Sequence, residues 1–415
     1  MLAVSGAAFG SGFGLFEQGA KATAMGGAFV ATADDPSAIF YNVAGIAQQR
    51  HMSFLAGGTV INFSNQFKGD PNDPLTVGVT DEYRKHTFIP PNLYLIVPFG
   101  NNITFGLGVF TPFGLRTNWT EPWVGRFVSR DANVKMMSVE PAVAWQTSDG
   151  RIAIGVGAEY RRSHIVLNRN NAGFNPLTGR IFDSANAFLN SDWDTTTGWN
   201  AGVLFKPAPA WRLGLSYRSD STINYKGTAH FTQILTGTPL DAVVAAQLPP
   251  DQNIATSINF PAILSGGVAT SAFGHNWDLE GDITHTTWSR FKELSVTFAT
   301  TTSLNFVKPQ NWTDTYSYRL GANKKVTDMW DVRFGALYDK NPQPTEGVGP
   351  LLPDSDRLGA SFGIGWHSGP FIVDLTEFAL HFKNRSTVGV LQNDNFHGSY
   401  KTNANLISFN TGYRF

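Results

Sequence analysis

The chain has 415 residues, no Cys, a formal net charge of −1, and 32 Phe, 11 Trp, 11 Tyr and 42 Gly. Missing Cys excludes disulfide scaffolds and thiol metal sites, and the absence of a basic excess argues against a nucleic-acid partner. No apolar run reaches the roughly 18–20 residues of a spanning helix, yet a mean hydropathy of −0.14 is what a transmembrane barrel gives, because its membrane signal lies in alternation.

Residues 1–10 read as a signal-peptide remnant or an N-terminal extension, since MLAVSGAA has the small residues of a leader's end without a charged start. Residues 11–50 differ from everything that follows. They are rich in Gly and Ala (Gly12, Gly14, Gly19, Gly26, Gly27, Ala28) and turn at Asp34-Asp35-Pro36, the composition of a compact plug fitted inside a narrow space.

From residue 51 to 415 the pattern is that of strands. Ile103, Phe105, Leu107 and Val109 alternate with Thr104, Gly106 and Gly108, and the same parity recurs through Trp211, Leu213, Leu215 and Tyr217 and through Trp330, Val332, Phe334, Ala336 and Tyr338. The pattern predicts fourteen strands, near 51–63, 87–98, 102–112, 133–147, 151–168, 194–206, 211–226, 259–273, 276–289, 308–326, 329–340, 357–368, 371–386 and 398–415.

Their connections alternate in length. Tight turns at 99–101, 148–150, 207–209, 274–275, 327–328 and 368–370 separate long segments near 64–86, 113–132, 169–193, 227–258, 290–307, 341–356 and 387–397. Short turns on one rim and long loops on the other predict an antiparallel transmembrane β-barrel of the bacterial outer membrane, with both termini periplasmic and the plug in its lumen. The alternating end at Tyr413 and Phe415 fits an interfacial aromatic girdle. Within the loops, Pro239–Leu248 has helical spacing before Pro249-Pro250, and Phe182–Leu189 is a weaker helix candidate.

Three blocks carry a resemblance to the FadL/TodX family of outer-membrane transporters for fatty acids and aromatic hydrocarbons. They are Ser11-Gly12-Phe13 with Glu17, Ala24-Met25-Gly26-Gly27-Ala28 and Ala33–Asn42; Thr111–Leu115 with Trp123–Phe127; and Tyr338–Pro344 with Pro353–Arg357. The resemblance implies a plug acting as a hatch, with Phe13 at the ligand site and a greasy landing groove on the loops, to which Leu240, Val243 and Val244 would contribute. It also implies sideways release near a kinked third strand, where Gly106 and Gly108 would make a kink inexpensive. The chain departs from the family at Asn42-Val43-Ala44, where Asn-Pro-Ala is usual, so these three residues mark the expected gate.

Strand parity turns Glu140, Glu159, Arg161, Arg212, Asp278, Glu280, Asp282, Arg319, Arg333 and Arg414 into the lumen, where ions need partners. In the plain reading they form a hydrogen-bonded lining that holds the hatch. In the sharper one, implied by the resemblance, Tyr160-Arg161-Arg162-Ser163 supplies a cation for a ligand carboxylate. Motif position points to Arg162 and parity to Arg161. The family's second basic position carries Thr313 here, which leaves room for a neutral hydrocarbon.

The nine His lie in no nucleophile elbow or metal-spaced cluster, and His285 with Thr286 and Ser289 is the best remaining catalytic candidate. The expected function is therefore passive uptake of hydrophobic molecules without enzyme activity or cofactor. The expected partners are a hydrophobic ligand and outer-membrane lipid and lipopolysaccharide, with the protein a monomer. The alternatives are a non-transporting adhesive barrel and a barrel lipid hydrolase.

Overall fold

Alternation from Ser53 onward closes into a single antiparallel barrel in the computed structural model, which describes residues 12–84, 87–274 and 276–415. Its fourteen strands are β1 (Ser53–Gly69), β2 (Pro91–Phe99, with outer pieces Thr80–Glu82 and Thr87–Phe88) and β3 (Ile103–Phe110 and Gly114–Asn118). They continue as β4 (Asp131–Gln146), β5 (Ile152–Asn175), β6 (Arg180–Ser191 and Asp194–Ala208) and β7 (Trp211–Arg218 and Ser221–Gln233). Next come β8 (Gln252–Phe260 and Ile263–Thr270), β9 (Trp277–Thr286 and Glu293–Phe298) and β10 (Phe306–Pro309 and Thr315–Lys325). The last are β11 (Trp330–Asp339), β12 (Arg357–Ser368), β13 (Phe371–Phe382) and β14 (Gly398–Arg414). Pairing of β14 with β1 from Ser53↔Arg414 to Gly69↔Gly398 completes the ring.

Side chains sort by parity as expected. Phe105, Leu107, Ile154, Val156, Leu213, Leu215, Phe362 and Leu375 point outward into the apolar band. Phe99, Trp145, Trp211, Trp330, Phe371 and Phe415 are exposed beside the tight turns, and Tyr160, Trp193, Tyr316, Tyr318 and Tyr338 are exposed toward the other rim. These are two aromatic girdles.

Two expectations fail on the loop side. Residues 169–193, read as a loop, are the upper part of the β5–β6 hairpin, and Phe182–Leu189 is strand rather than helix. Apolar alternation fades there because neither face meets lipid. Asn168, Asn170 and Asn186 instead hydrogen-bond across the ladder at 2.6–3.1 Å. The other helix is present as Leu240–Gln247. The leader segment 1–10, Ser11, His86 and His275 lie outside the described residues.

The segment after Gly12 fills the lumen. A short α1 (Ala20–Ala24), α2 (Ala38–Tyr41) and a 3-10 turn (Val43–Gln48) are joined by irregular backbone whose polar groups need partners. The wall supplies them. Asp282 accepts the N–H groups of Phe29 and Val30 at 2.8 and 3.0 Å, and Glu280 those of Ala31 and Thr32 at 2.6 and 3.0 Å. Ser361, Thr376 and Asn410 bond the backbone of Ala20–Gly26. Inward glycines let hatch backbone touch wall: a Cβ on Gly335 would sit 1.9 Å from Gly26 N, and one on Gly214 would sit 2.2 Å from Val30 O.

Candidate functional site

Between hatch and loops lies an aromatic box occupied by the hatch itself. The Phe13 ring is 4.7 Å from Trp288, 5.5 Å from Phe291, 5.6 Å from Phe260, 5.7 Å from Trp312 and 6.2 Å from Phe113, centroid to centroid. All but the tilted Trp312 contact are edge-on, and each adds to area burial. The box is apolar, the chemistry a hydrocarbon tail seeks, and Phe13 fills it.

Phe13 is tied to a break in the wall. β2 and β3 pair up to Leu93↔Val109 and meet again at the Tyr83↔Trp119 bridge, in the same register. Among the described residues, none of Thr87–Asn92 pairs with any of Phe110–Thr117. Pro90, Pro91 and Pro112 in this interval lack the N–H that a ladder requires.

The hatch mends the break from inside. The Leu15 N–H donates to Pro112 O and the Gly114 N–H to Phe13 O, both at 2.9 Å, around a Gly14↔Phe113 bridge. The Gln18 side chain closes the next step. Its amide donates to Thr111 O at 2.6 Å, and its oxygen accepts from Thr111 N–H at 3.3 Å.

Above the box is a groove of about 380 Å³, walled by Leu167, Leu189, Phe231, Phe298, Leu304 and Phe306. Leu294, Val128 and Leu351 line it and also pack into the apolar cluster that contains Phe13, so groove and box share a wall. The groove's polar side is Arg169, stacked on Phe306 at 5.5 Å, and the paired Lys308 and Asp394.

The expected site residues divide. Phe13 is central. Arg161 faces the lumen as parity requires, and its two terminal nitrogens are held by Glu159 at 2.8 Å, Ser221 at 2.6 Å and Ser219 O at 3.2 Å. Arg162 is on the outer face, stacked on Trp193 at 5.1 Å. Thr313 is exposed and donates its N–H to Pro342 O at 3.1 Å, while its neighbour Trp312 enters the box. Leu240, Val243 and Val244 are not among the groove's walls, and Val243 is exposed. Only the following Leu248 packs toward Phe231 and Phe298.

Gly106 and Gly108 lie in unbroken ladder against Ile39 and Ile46 of the hatch, so the wall breaks a few residues later than expected, where proline rather than glycine sits. Asn42, Val43 and Ala44 are buried, and the Asn42 amide reaches Val30 O and Val203 O at 2.8 and 3.1 Å. His285 sits beside Tyr316, with Asp314 3.8 Å away and Ser289 exposed, and shows no nucleophile–base contact.

Most of the charged lining is structural, as its plain reading held. Arg218 joins Glu140 (2.8 Å), Glu159 and Phe40 O (3.1 Å), and Arg333 joins Asp374 at 2.5 Å. Arg212 pairs with Asp278. Arg414 alone of the predicted set is exposed, at the rim. Sequence reasoning missed Gln18, Trp288, Phe291 and Trp312. The signal that could have found the aromatics is three large rings in segments otherwise read as strand end or loop, Trp288-Ser289-Arg290-Phe291 and Trp312.

A closed, plugged barrel with outward apolar strands, twin girdles and a greasy lumen pocket is an outer-membrane protein of the transporter class. The chain belongs to the family described as "Outer membrane protein transport protein (OMPP1/FadL/TodX)", whose model matches residues 1–415. It is 25% identical over 363 residues to the long-chain fatty acid transport protein of Salmonella typhi, covering 80% of this chain and 78% of that one.

Among solved structures it resembles a Pseudomonas aeruginosa FadL homologue, with TM-score 0.84 and 21% identity over 97% of this chain and 100% of that one. It also resembles the P. putida toluene transporter TodX, with TM-score 0.74 and 15% identity over 97% and 98% of the two chains. The family's named members are transport proteins rather than enzymes.

Proposed function

We propose that this protein carries hydrophobic small molecules, long-chain fatty acids or related hydrocarbons, passively inward across the outer membrane and releases them sideways through its wall. The groove captures the ligand from the aqueous side and shields its apolar surface. The shared wall of Leu294, Val128 and Leu351 passes it to the aromatic box, which it can enter only as Phe13 leaves. Because Phe13, Gly14 and Leu15 are also the strand that fills the β2–β3 break, the same displacement that empties the box unseals the wall toward lipid. No nucleotide-binding motif is present in the sequence, and ligand binding alone drives each step.

The observation that carries this reading is that one hatch segment is at once the occupant of the box and the missing rung of the wall. Its test uses the chain's lack of Cys. Gly14 and Phe113 face each other as a pair whose flanking residues make the hydrogen bonds, the close-approach geometry that suits a disulfide. A Gly14→Cys, Phe113→Cys variant in liposomes should block uptake of labelled fatty acid or toluene when oxidised and recover it on reduction. Equal flux in both states would refute the coupling. No flux of any hydrophobic ligand through the unmodified protein would favour the non-transporting barrel.

A further inference from the structure

We infer that the outer face of β12, β13, β14 and β1, in the half of the wall nearest the long loops, is a docking site for lipid A, the phosphorylated, amide-acylated saccharide of lipopolysaccharide. This face lies outside the barrel, on the side of the outer leaflet, and is separate from the lumen site.

A strand spends roughly 9–11 residues in hydrocarbon, and its outward positions there should be apolar. β12 complies, with Ile364, Phe362, Ala360 and Leu358 following Trp366. Its neighbours do not. Glu377 is outward and exposed six residues beyond Phe371 on β13, Asn405 is outward eight residues beyond Tyr413 on β14, and Asn62 is outward eight residues beyond Phe54 on β1. The next outward positions are His381, Asn403 and Ser64. None of the loop-side girdle aromatics stands on these four strands. Polar groups turned to lipid are costly unless something there hydrogen-bonds them.

The face is concave. Ala360 and Ala379, opposite each other in the ladder, help to floor a cleft of about 870 Å³ that is also lined by Asn62, Asn405, Asn403 and His381. Its polar groups are half satisfied. The Asn405 amide donates to Glu377 Oε1 at 2.9 Å, Thr87 Oγ1 donates to Asn62 Oδ1 at 3.2 Å, and His381 Nδ1 lies 2.9 Å from Asn403 Oδ1. Among the described residues the amide nitrogens of Asn62 and Asn403, the second oxygen of Glu377 and His381 Nε2 have no partner. An occupant must therefore bring acceptors and donors together to this depth. The ester region of a glycerophospholipid only accepts, whereas the amide-linked 3-hydroxyacyl chains of lipid A carry C=O, N–H and O–H groups.

Cations stand above the cleft. A second depression, of about 320 Å³, shares Leu358 and His381 with it and reaches Lys383 and Asp356. Lys401 is two residues beyond Asn403 on β14, and Lys68 four beyond Ser64 on β1. All three lysines are exposed, and none makes an ion pair among the described residues. The nearby acids are engaged in part, Asp356 with the Asn341 N–H at 3.0 Å and Glu82 with the Gln66 amide at 3.0 Å. Lysines over a cleft that both donates and accepts match phosphates carried over amide-linked chains.

The test is native mass spectrometry of the delipidated full chain in detergent, titrated with bis-phosphorylated hexa-acyl lipid A or with dioleoylphosphatidylglycerol. The unmodified protein should hold lipid A at least about tenfold more tightly. Replacing Lys68, Lys383 and Lys401 together by Ser should reduce lipid A affinity at least about tenfold, as lost charged hydrogen bonds imply. Glu377→Leu with Asn405→Leu, which restores apolar side chains to the lipid face, should weaken lipid A several-fold and leave phosphatidylglycerol unchanged within about twofold. Heat-dependent gel mobility verifies that each variant folds. Equal affinity for the two lipids, or lipid A binding unchanged in both variants, would overturn the assignment. A dimer of the unmodified chain that Glu377→Leu with Asn405→Leu dissociates would also overturn it, by giving the face to a second copy.

Discussion

Phe13 fills the aromatic box, and its removal should be legible in two readouts. Phe13→Ala should cost about 3–5 kcal/mol of local packing by the usual large-to-small rule, seen as a lower thermal midpoint. It should also bind toluene more tightly than the unmodified protein, followed by the fluorescence of Trp288 and Trp312, because an apolar ligand no longer competes with a tethered ring.

One residue before Phe13, the Gly12 N–H donates to Asp354 Oδ2 at 2.9 Å, and burial pushes the Asp354 carboxyl up to about 7. Between its unfolded value near 3.8 and about 7 the native state therefore binds the extra proton. Stability from this group falls as pH rises through that window and is recovered as pH drops toward 4. Asp354→Asn should flatten the change in thermal midpoint between pH 5 and pH 8. An unchanged slope would assign it to other groups. At this scale the sequence was informative about direction and silent about partnership. Parity correctly chose Arg161 over Arg162 for the lumen, but Glu159, Ser221 and Ser219 that occupy it come from registers no single strand reveals.

At the scale of elements, the third strand is interrupted at Thr111–Phe113 and the hatch supplies what is missing. The sequence marked the strand but not its interruption, because a glycine permits a bend whereas proline withholds a donor, and here the ladder stops beside the prolines. Val43 stands where α2 gives way to the 3-10 turn. Val43 opens the 3-10 turn, a first-turn position where a missing N–H costs least. Asn42 before it is extended at φ −158° and ψ 102°, compatible with a following proline. Val43→Pro should stiffen the joint by roughly 0.4–1 kcal/mol and slow uptake a few-fold with ligand affinity unchanged. A matching change in affinity would place the turn in the binding site, and unchanged flux would show that the hatch does not pivot there. Strand existence was legible throughout the lipid band, where alternation is enforced by hydrocarbon. It failed in the upper β5–β6 hairpin, where nothing enforces it.

As a whole molecule the barrel is fitted around its plug. Gly335→Val would place a branched side chain where Gly26 N now lies, with a Cβ at 1.9 Å. The barrel should still form, with heat-dependent gel mobility intact, but the hatch should seat poorly. Planar-bilayer conductance should rise, and the hatch should become protease-sensitive. A variant that stays closed and resistant would mean that the plug adapts to its wall.

The seam between β1 and β14 has a different lesson. These are the most distant strands of the ring in sequence, yet each is 17 residues long and they pair without interruption, whereas β2 and β3, neighbours in the chain, are parted along much of theirs. During biogenesis the seam is the last rung set to become available, since it waits for the final strand to be delivered. A partial chain therefore keeps two raw edges and no hold on itself, while the finished one snaps into a register that a slip of a single residue would turn inside out. The strongest joint is the one that certifies assembly is complete, and it lies between the two strands farthest apart in the chain.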